Sequence, residues 1–232
     1  IWLAKSVKMK QLVSLFFLLN AMFLNAQDTL KYVEKDHFKL FVGAGASFVN
    51  SYEINKFLSQ NNIQTIVPVD INATAGIIFY NDNVDIDLGY ELFASGKSNE
   101  TTKTRVISKG VKFGAHYVFQ VFKDFEIGTG FNISYAKRKL SVFYTDYVLD
   151  FDNLNPNLNG NQFTLYLEKG FIGPSISFKI KETGRNFQQT KITFAYEFSI
   201  NNKPWHSDAL KLQNVIYEEN LNQFVMNVVF CL

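Results

Sequence analysis

Apolar residues recur at every second position along most of this chain, the period of a strand whose two faces meet different environments. "FKLFVGAGASF" puts Phe38, Leu40, Val42, Ala44, Ala46 and Phe48 on one face. "VDIDLGYELFAS" sets Val84, Ile86, Leu88, Tyr90 and Leu92 against Asp85, Asp87, Gly89 and Glu91. The same alternation predicts eight strands, over about 38–48, 67–80, 84–95, 110–122, 125–135, 162–180, 191–200 and 224–232. In the sixth, Phe163, Leu165 and Leu167 hold one phase and Ile176, Phe178 and Ile180 the other. The intervening "EKGFIGP" predicts a bulge, at a proline that cannot donate a ladder bond. The fifth strand continues through "AKRKLSVFYTDYV" to residue 148, about twice the length that crosses a bilayer.

The connections alternate in length. Short turns are expected at 81–83, 123–124 and near 182–189, and longer polar segments near 49–64, 96–104, 149–161 and 201–219. An even strand count with short turns on one rim and long loops on the other predicts an all-β, eight-stranded antiparallel up-and-down transmembrane barrel. No run after Ala26 approaches the roughly 20 apolar residues of a spanning helix.

The N-terminal segment has a different pattern. "MKQLVSLFFLLNAMFLNAQ" starts at Met9, carries Lys10, runs apolar from Leu12 to Leu24 and ends in small residues. This is the layout of a secretory signal peptide, with cleavage expected after Ala26. Residues 1–8 are upstream residues or an extended n-region, 27–37 a periplasmic segment and 38–232 the barrel. Loss of Lys5, Lys8 and Lys10 takes Lys and Arg from 23 to 20 against 21 Asp and Glu. That near-neutral balance excludes an electrostatic nucleic-acid binder. A single cysteine, Cys231, excludes an intramolecular disulfide.

The two faces differ in content. The polar face carries small residues, among them Gly43, Gly45, Ser47, Asn72, Thr74, Gly76, Gly128, Gly130, Asn132 and Ser134. It also carries charges of both signs: Lys39, Asp70, Asp85, Asp87, Glu91, Lys112, Glu126, Lys179, Lys191 and Glu197, with His116 among them. Small side chains suit an eight-stranded lumen, which has room only for packed side chains. Opposite charges there offset the cost of burial, with Lys112 a candidate partner for the carboxylates of the third strand. The apolar face has rings near strand ends, including Phe38, Phe48, Phe79, Tyr90, Phe122, Phe125, Phe163, Phe198 and Phe230, as in interfacial girdles. A soluble lipocalin-like barrel binding an apolar ligand would share the alternation with the greasy face inward. Neither Trp2 nor Trp205 stands in the Gly-x-Trp context of lipocalins.

These elements (the signal ending "NAQ", the Gly-bearing first strand, "GPSISFKI" and a final strand alternating to Leu232) resemble the small outer-membrane β-barrel proteins of the OmpA/OmpX and PorT-like type over residues 38–232. The resemblance implies an outer-membrane location in a Gram-negative envelope, contact with outer-membrane lipid and with the barrel-assembly machinery, and a surface or secretion-complex partner. Such barrels usually end in an aromatic residue; here Phe230 precedes Leu232 by two.

Catalytic chemistry is sparse. The histidines are His37, His116 and His206, and His116 alternates onto the polar face. A lipid-modifying barrel enzyme would draw on His206 with Ser95, Ser98 or Ser207 at the rim, on fold analogy alone. The tip "LDFDNLNPNLNG" fails the calcium-loop spacing, and no metal or cofactor motif appears. The raised fifth and sixth strands would present Lys137, Arg138, Lys139, Tyr144, Tyr147 and Tyr166 as a contact surface. The expectation is a non-enzymatic barrel with a plugged polar lumen, acting in a structural or surface-interaction role through long loops.

Overall fold

The computed structural model describes residues 38–81, 83–144, 162–181, 189–208 and 212–232. The signal segment, residues 27–37 and Tyr147 lie outside the described residues. Eight strands run β1 Phe38–Val49, β2 Val69–Asn81, β3 Val84–Ser98, β4 Thr102–Phe122, β5 Phe125–Tyr144, β6 Gln162–Lys181, β7 Gln189–Ser199 and β8 Gln223–Cys231. Each pairs antiparallel with the next, and β8 returns to β1 through pairs such as Gly45↔Asn227, so the sheet closes. Closure leaves no unpaired edge through the closed girth, which a wall facing lipid requires.

Side-chain direction follows the alternation. Leu40, Ile71, Leu88, Val111, Phe131, Ile176 and Phe230 lie exposed on the outside, while Asp70, Asp85, Glu91, Lys179, Lys191 and Glu197 are buried inside. An apolar exterior around a charged interior is the partition of a barrel in lipid and the reverse of a lipocalin. The chain forms a membrane-spanning β-barrel.

Strand length divides the barrel into two levels. β8 has 9 residues and β7 has 11, about what a tilted crossing needs, whereas β4, β5 and β6 have 21, 20 and 20. About ten surplus residues, roughly 30 Å of strand, raise these three above the apolar belt as a wall. β4 therefore starts eight residues before its expected position. The long polar connection expected at 96–104 is in fact strand on both sides of a tight turn. Asn99 Oδ1 closes that turn by accepting from the Thr101 and Thr102 amides at 3.1 and 2.6 Å.

In the wall the outer face turns largely charged, and the inner face gains apolar residues, most of them on β5 and β6. Thr102, Thr104, Val106 and Ser108 of β4 face inward and are buried, while Lys103, Arg105 and Lys109 face out and are exposed. Leu140 and Val142 of β5 and Leu165 and Leu167 of β6 also point in. No bulge separates the halves of β6: its register with β5 runs without a shift from Phe143↔Gln162 to Phe125↔Ile180. Leu165 and Leu167 keep the strand's phase and belong to an inner core, not to the lipid face. The surroundings change: lipid lies outside the lower half and water outside the upper.

Inside the wall sits a second core. Tyr52, Ile54, Leu58 and Ile66 from the β1–β2 connection and Trp205 and Leu221 from the β7–β8 connection pack on Val106, Leu140, Val142, Leu165, Leu167 and Phe171. The first connection carries a helix, α1 (Ile54–Gln60), whose Ile54 and Leu58 share the buried face. It ends in a Schellman arrangement: Asn62 has φ 58°, its amide donates to Ser59 O at 3.1 Å, and the Ile63 amide donates to Leu58 O at 2.8 Å. Asn62→Val, a β-branched residue forced into that left-handed position, is expected to destabilise the cap by about 1–2 kcal/mol. Asn62→Gly should be neutral. Limited proteolysis of the β1–β2 connection measures both.

Candidate functional site

Within the belt the lumen is crossed by a chain of ion pairs. Lys179 on β6 lies 3.0 Å from Asp85 of β3 and 2.6 Å from Glu126 of β5. Lys191 on β7 lies 2.6 Å from Asp87 and 3.5 Å from Asp85. The alternating carboxylates of β3 thus meet amines from the opposite side of the barrel. Lys112, on the adjacent strand, reaches Glu91 at 3.9 Å and no other carboxylate among the described residues. Asn227 Nδ2 donates to Glu91 at 3.0 Å and to no other carboxylate among the described contacts, while Asn72 donates to Asn227 at 2.9 Å. Lys39 and Lys179 stand over the Tyr80 ring, closing the lower end with Phe41, Ile78, Val229 and Cys231. The lumen is therefore not polar throughout; an apolar layer lies at its short-turn end.

A higher layer centres on Arg138. The alternation of β5 turns it inward, where it is buried, donating to Asp70 at 2.9 Å, Gln223 at 3.0 Å and the Tyr52 hydroxyl. Its expected role in an outer contact surface is thus corrected: it ties the first long connection to the barrel. Asp70 also accepts from Ser95 Oγ at 2.5 Å. Glu197 accepts from Ser134 and Gln223, each at 2.8 Å. Burial pushes the Tyr52 phenol well above its ordinary pKa, so it stays a donor or acceptor without charge.

The narrow lumen explains the glycines. A Cβ on Gly45 would stand 2.1 Å from Asn227 Oδ1 and 2.2 Å from Met226 O. On Gly130 it would stand 1.8 Å from Ala115 O. Only a missing side chain lets these strands approach.

Above the belt Glu218 is the joint between the two connections. Its buried carboxylate accepts from the Glu53 amide at 2.6 Å, the Ile54 amide at 3.2 Å and Trp205 Nε1 at 2.7 Å. These are the free donors at the start of α1 and one indole, a set that satisfies a buried anion. Lys169 donates to Glu218 O and, at 2.6 Å, to Asn201 O. Sequence reading missed Tyr52, Trp205, Glu218 and Gln223. The one signal was the Ile54/Leu58 spacing followed by Asn62.

The catalytic candidates do not converge. Ser95 is held by Asp70. The His206 backbone bridges Tyr166 of β6, with its amide 3.0 Å from Tyr166 O, and the two rings lie 5.9 Å apart. Ser98 is exposed at the end of β3, and His37 lies outside the described residues. His116 has an unforeseen neighbour: Ser175 Oγ lies 2.8 Å from its Nε2, and Asp87 Oδ2 lies 3.6 Å from its Nδ1. The residue types are those of a hydrolytic triad, yet His116 and Ser175 are buried. Asp87 is also engaged by Lys191 through both oxygens, at 2.9 and 2.6 Å.

On the outer face of the wall, Lys137 and Lys139 stand with Lys103, Arg105 and Lys109. Lys109 is directly opposite Lys137, and Lys139 is opposite Ile107. Tyr144, expected on this surface, has instead the inward phase of Leu140 and Val142 and is exposed only because it ends the strand, whereas Tyr166 faces out and receives Lys137 over its ring at 5.2 Å. Glu168, the carboxylate of this face on β6, lies 2.6 Å from Lys203 and 3.8 Å from Lys137.

No family model and no curated protein sequence matches the chain. Among solved structures it is similar in fold to Ail, the attachment invasion locus protein of Yersinia pestis, at 10% identity and a TM-score of 0.42, over 84% of this chain and 97% of that one. It is similar also to Neisserial surface protein A, at 12% identity and a TM-score of 0.45, over 84% and 97%. A third is a major outer membrane protein from Thermus thermophilus, at 10% identity and a TM-score of 0.47, over 85% and 100%.

Proposed function

We propose that this chain is a sealed, non-enzymatic outer-membrane barrel whose working surface is the cap and wall raised above the lipid. The carrying observation is the packed cross-section. Lys179 and Lys191 bind the β3 carboxylates across the axis, and the cavity lined by Thr74, Glu91, Lys112 and Asn227 has a volume of about 30 Å³. So small a cavity supports an interior filled by side chains, without a continuous water-filled path. The export-signal pattern supports placement in the outer membrane, with the short turns toward the periplasm and the wall outside the cell. Purified barrel in planar bilayers should then give no stable conductance steps. A persistent open level would overturn the sealed reading.

A lipid-modifying activity has one observation in its favour, the Ser175–His116–Asp87 grouping. The burial of Ser175 and His116 leaves no room for an acyl chain at the hydroxyl, which supports a structural role instead. Incubation with lipid A should leave its mass unchanged for the native protein and for Ser175→Ala alike.

A further inference from the structure

The wall's outer face holds more cations than the described carboxylates of that face can pair. Lys103, Arg105 and Lys109 on β4 and Lys137 and Lys139 on β5 project to one side, on adjacent rungs of the β4–β5 ladder. Directly opposed like charges destabilise a sheet pair, and Lys109↔Lys137 is such a pair. Inside the barrel the same chain gives Lys112, Lys179 and Lys191 a carboxylate each. Outside, among the described residues, Lys103, Arg105, Lys109 and Lys139 have no carboxylate within ion-pair distance, and Glu168 is engaged by Lys203. Position narrows the missing anion. The cations continue the outward face of the belt: Lys109 is two residues above Val111, and Lys137 two above Tyr135, both exposed. Lys109 and Lys137 therefore stand at headgroup level. Arg105 and Lys103 stand about 13 and 20 Å further along the strand, above the headgroup plane of a simple phospholipid.

We propose that this face binds the phosphates of an anionic glycolipid in the surrounding outer leaflet, the lower lysines taking its headgroup phosphates and Arg105 and Lys103 phosphate on its sugar portion. Arg105 offers a planar fork that suits phosphate oxygens. The inference rests on the wall lying outside the cell, as proposed above, and not on the lumen being sealed; a conducting barrel would leave it standing.

The test uses the full folded barrel in nanodiscs of phosphatidylcholine containing lipopolysaccharide with a phosphorylated core, or phosphatidylglycerol. A third arm offers a soluble sulfated polysaccharide with phosphatidylcholine alone. Native mass spectrometry counts what is retained. Native protein should retain lipopolysaccharide, and the variant Lys103→Gln, Arg105→Gln, Lys109→Gln, Lys139→Gln should lose about tenfold in apparent affinity, as should native protein in high salt. Because these side chains touch neither core, the variant should keep its heat-modifiable gel mobility; Lys109→Gln alone, expected to lose about twofold, serves if it does not. Equal retention by native and variant protein overturns the proposal. So does retention of phosphatidylglycerol equal to that of lipopolysaccharide, or variant-sensitive capture of the polysaccharide in preference to the glycolipid.

Discussion

Lys191→Met is expected to destabilise the barrel by about 3–5 kcal/mol, the cost of removing one partner from a buried ion pair. Lys191 is almost fully buried, and its amine is 2.6 Å from Asp87 and 3.5 Å from Asp85. Without it, Asp87 keeps His116 at 3.6 Å and Asp85 keeps Lys179 at 3.0 Å. Two carboxylates, two residues apart on one strand, would then face each other with half the positive charge. Adding Asp87→Asn to Lys191→Met should recover more than half of the loss, since Asp85 retains Lys179. Heat-modifiable mobility followed against temperature gives both values. On the wall, Lys109→Met should change stability by less than about 0.5 kcal/mol, because that side chain is solvated. A single variant that unfolds with the native protein would show that the lumen charges are hydrated and that the interior is not packed.

This test bears on what the sequence made legible. Period-two alternation, small residues opposite rings and mixed charges on one face placed every strand and the direction of its side chains in the belt. Asp85, Glu91, Phe131 and Ile176 lie on the expected sides. Alternation reports that two environments differ without saying which is which. The composition of the faces had to decide, and in the belt it decided correctly. In the wall the rule failed for a physical reason. Leu165 and Leu167 are apolar because loops cover them on the inside, and Ile176 and Ile180 because lipid covers them on the outside. A single strand crossing from lipid to water therefore switches its pattern with its backbone undisturbed, which mimics a bulge.

Arg138 shows the same limit at one residue. In "AKRKL" three basic residues in a row look like a solvated surface. Strand alternation sends the middle one inward, and only the distant Asp70, Tyr52 and Gln223 make that position tolerable. Those partners are far away in sequence, so no local pattern announces them. Glu218 likewise lies in a connection without alternation, and its role depends on a helix start more than 160 residues earlier. Pairing across an axis or between loops is a property of closure, and a linear pattern does not carry it.

If the cap is a core of its own, Trp205→Ala should open it while the barrel beneath stays intact. Trp205 is buried, and its indole Nε1 donates to Glu218 Oε1 at 2.7 Å. Truncation removes a large aromatic from the second core, at about 3–5 kcal/mol. It also takes one of three donors from a buried carboxylate. The cap's other ties to the wall are polar and include the Arg138 contact to Tyr52, the Lys169 contacts to Asn201 and Glu218 O, the Gln64 amide donating to Thr102 Oγ1 at 2.9 Å, the His206 backbone on Tyr166, and the Lys203–Glu168 ion pair. Those polar ties are exchanged for contacts with water on opening, so a loss of that size should loosen the two connections. Residues 50–68 and 200–222 are then expected to become cleavable by protease added outside, with strands β1 to β8 still showing heat-modifiable mobility. The lower ion pairs and the apolar layer around Phe41, Tyr80 and Cys231 are separate from this core, so conductance should stay absent even with the cap open. Simultaneous loss of cap and barrel at one temperature would mean a single cooperative unit. Conductance appearing with the cap open would move the seal from the lumen charges to the loops.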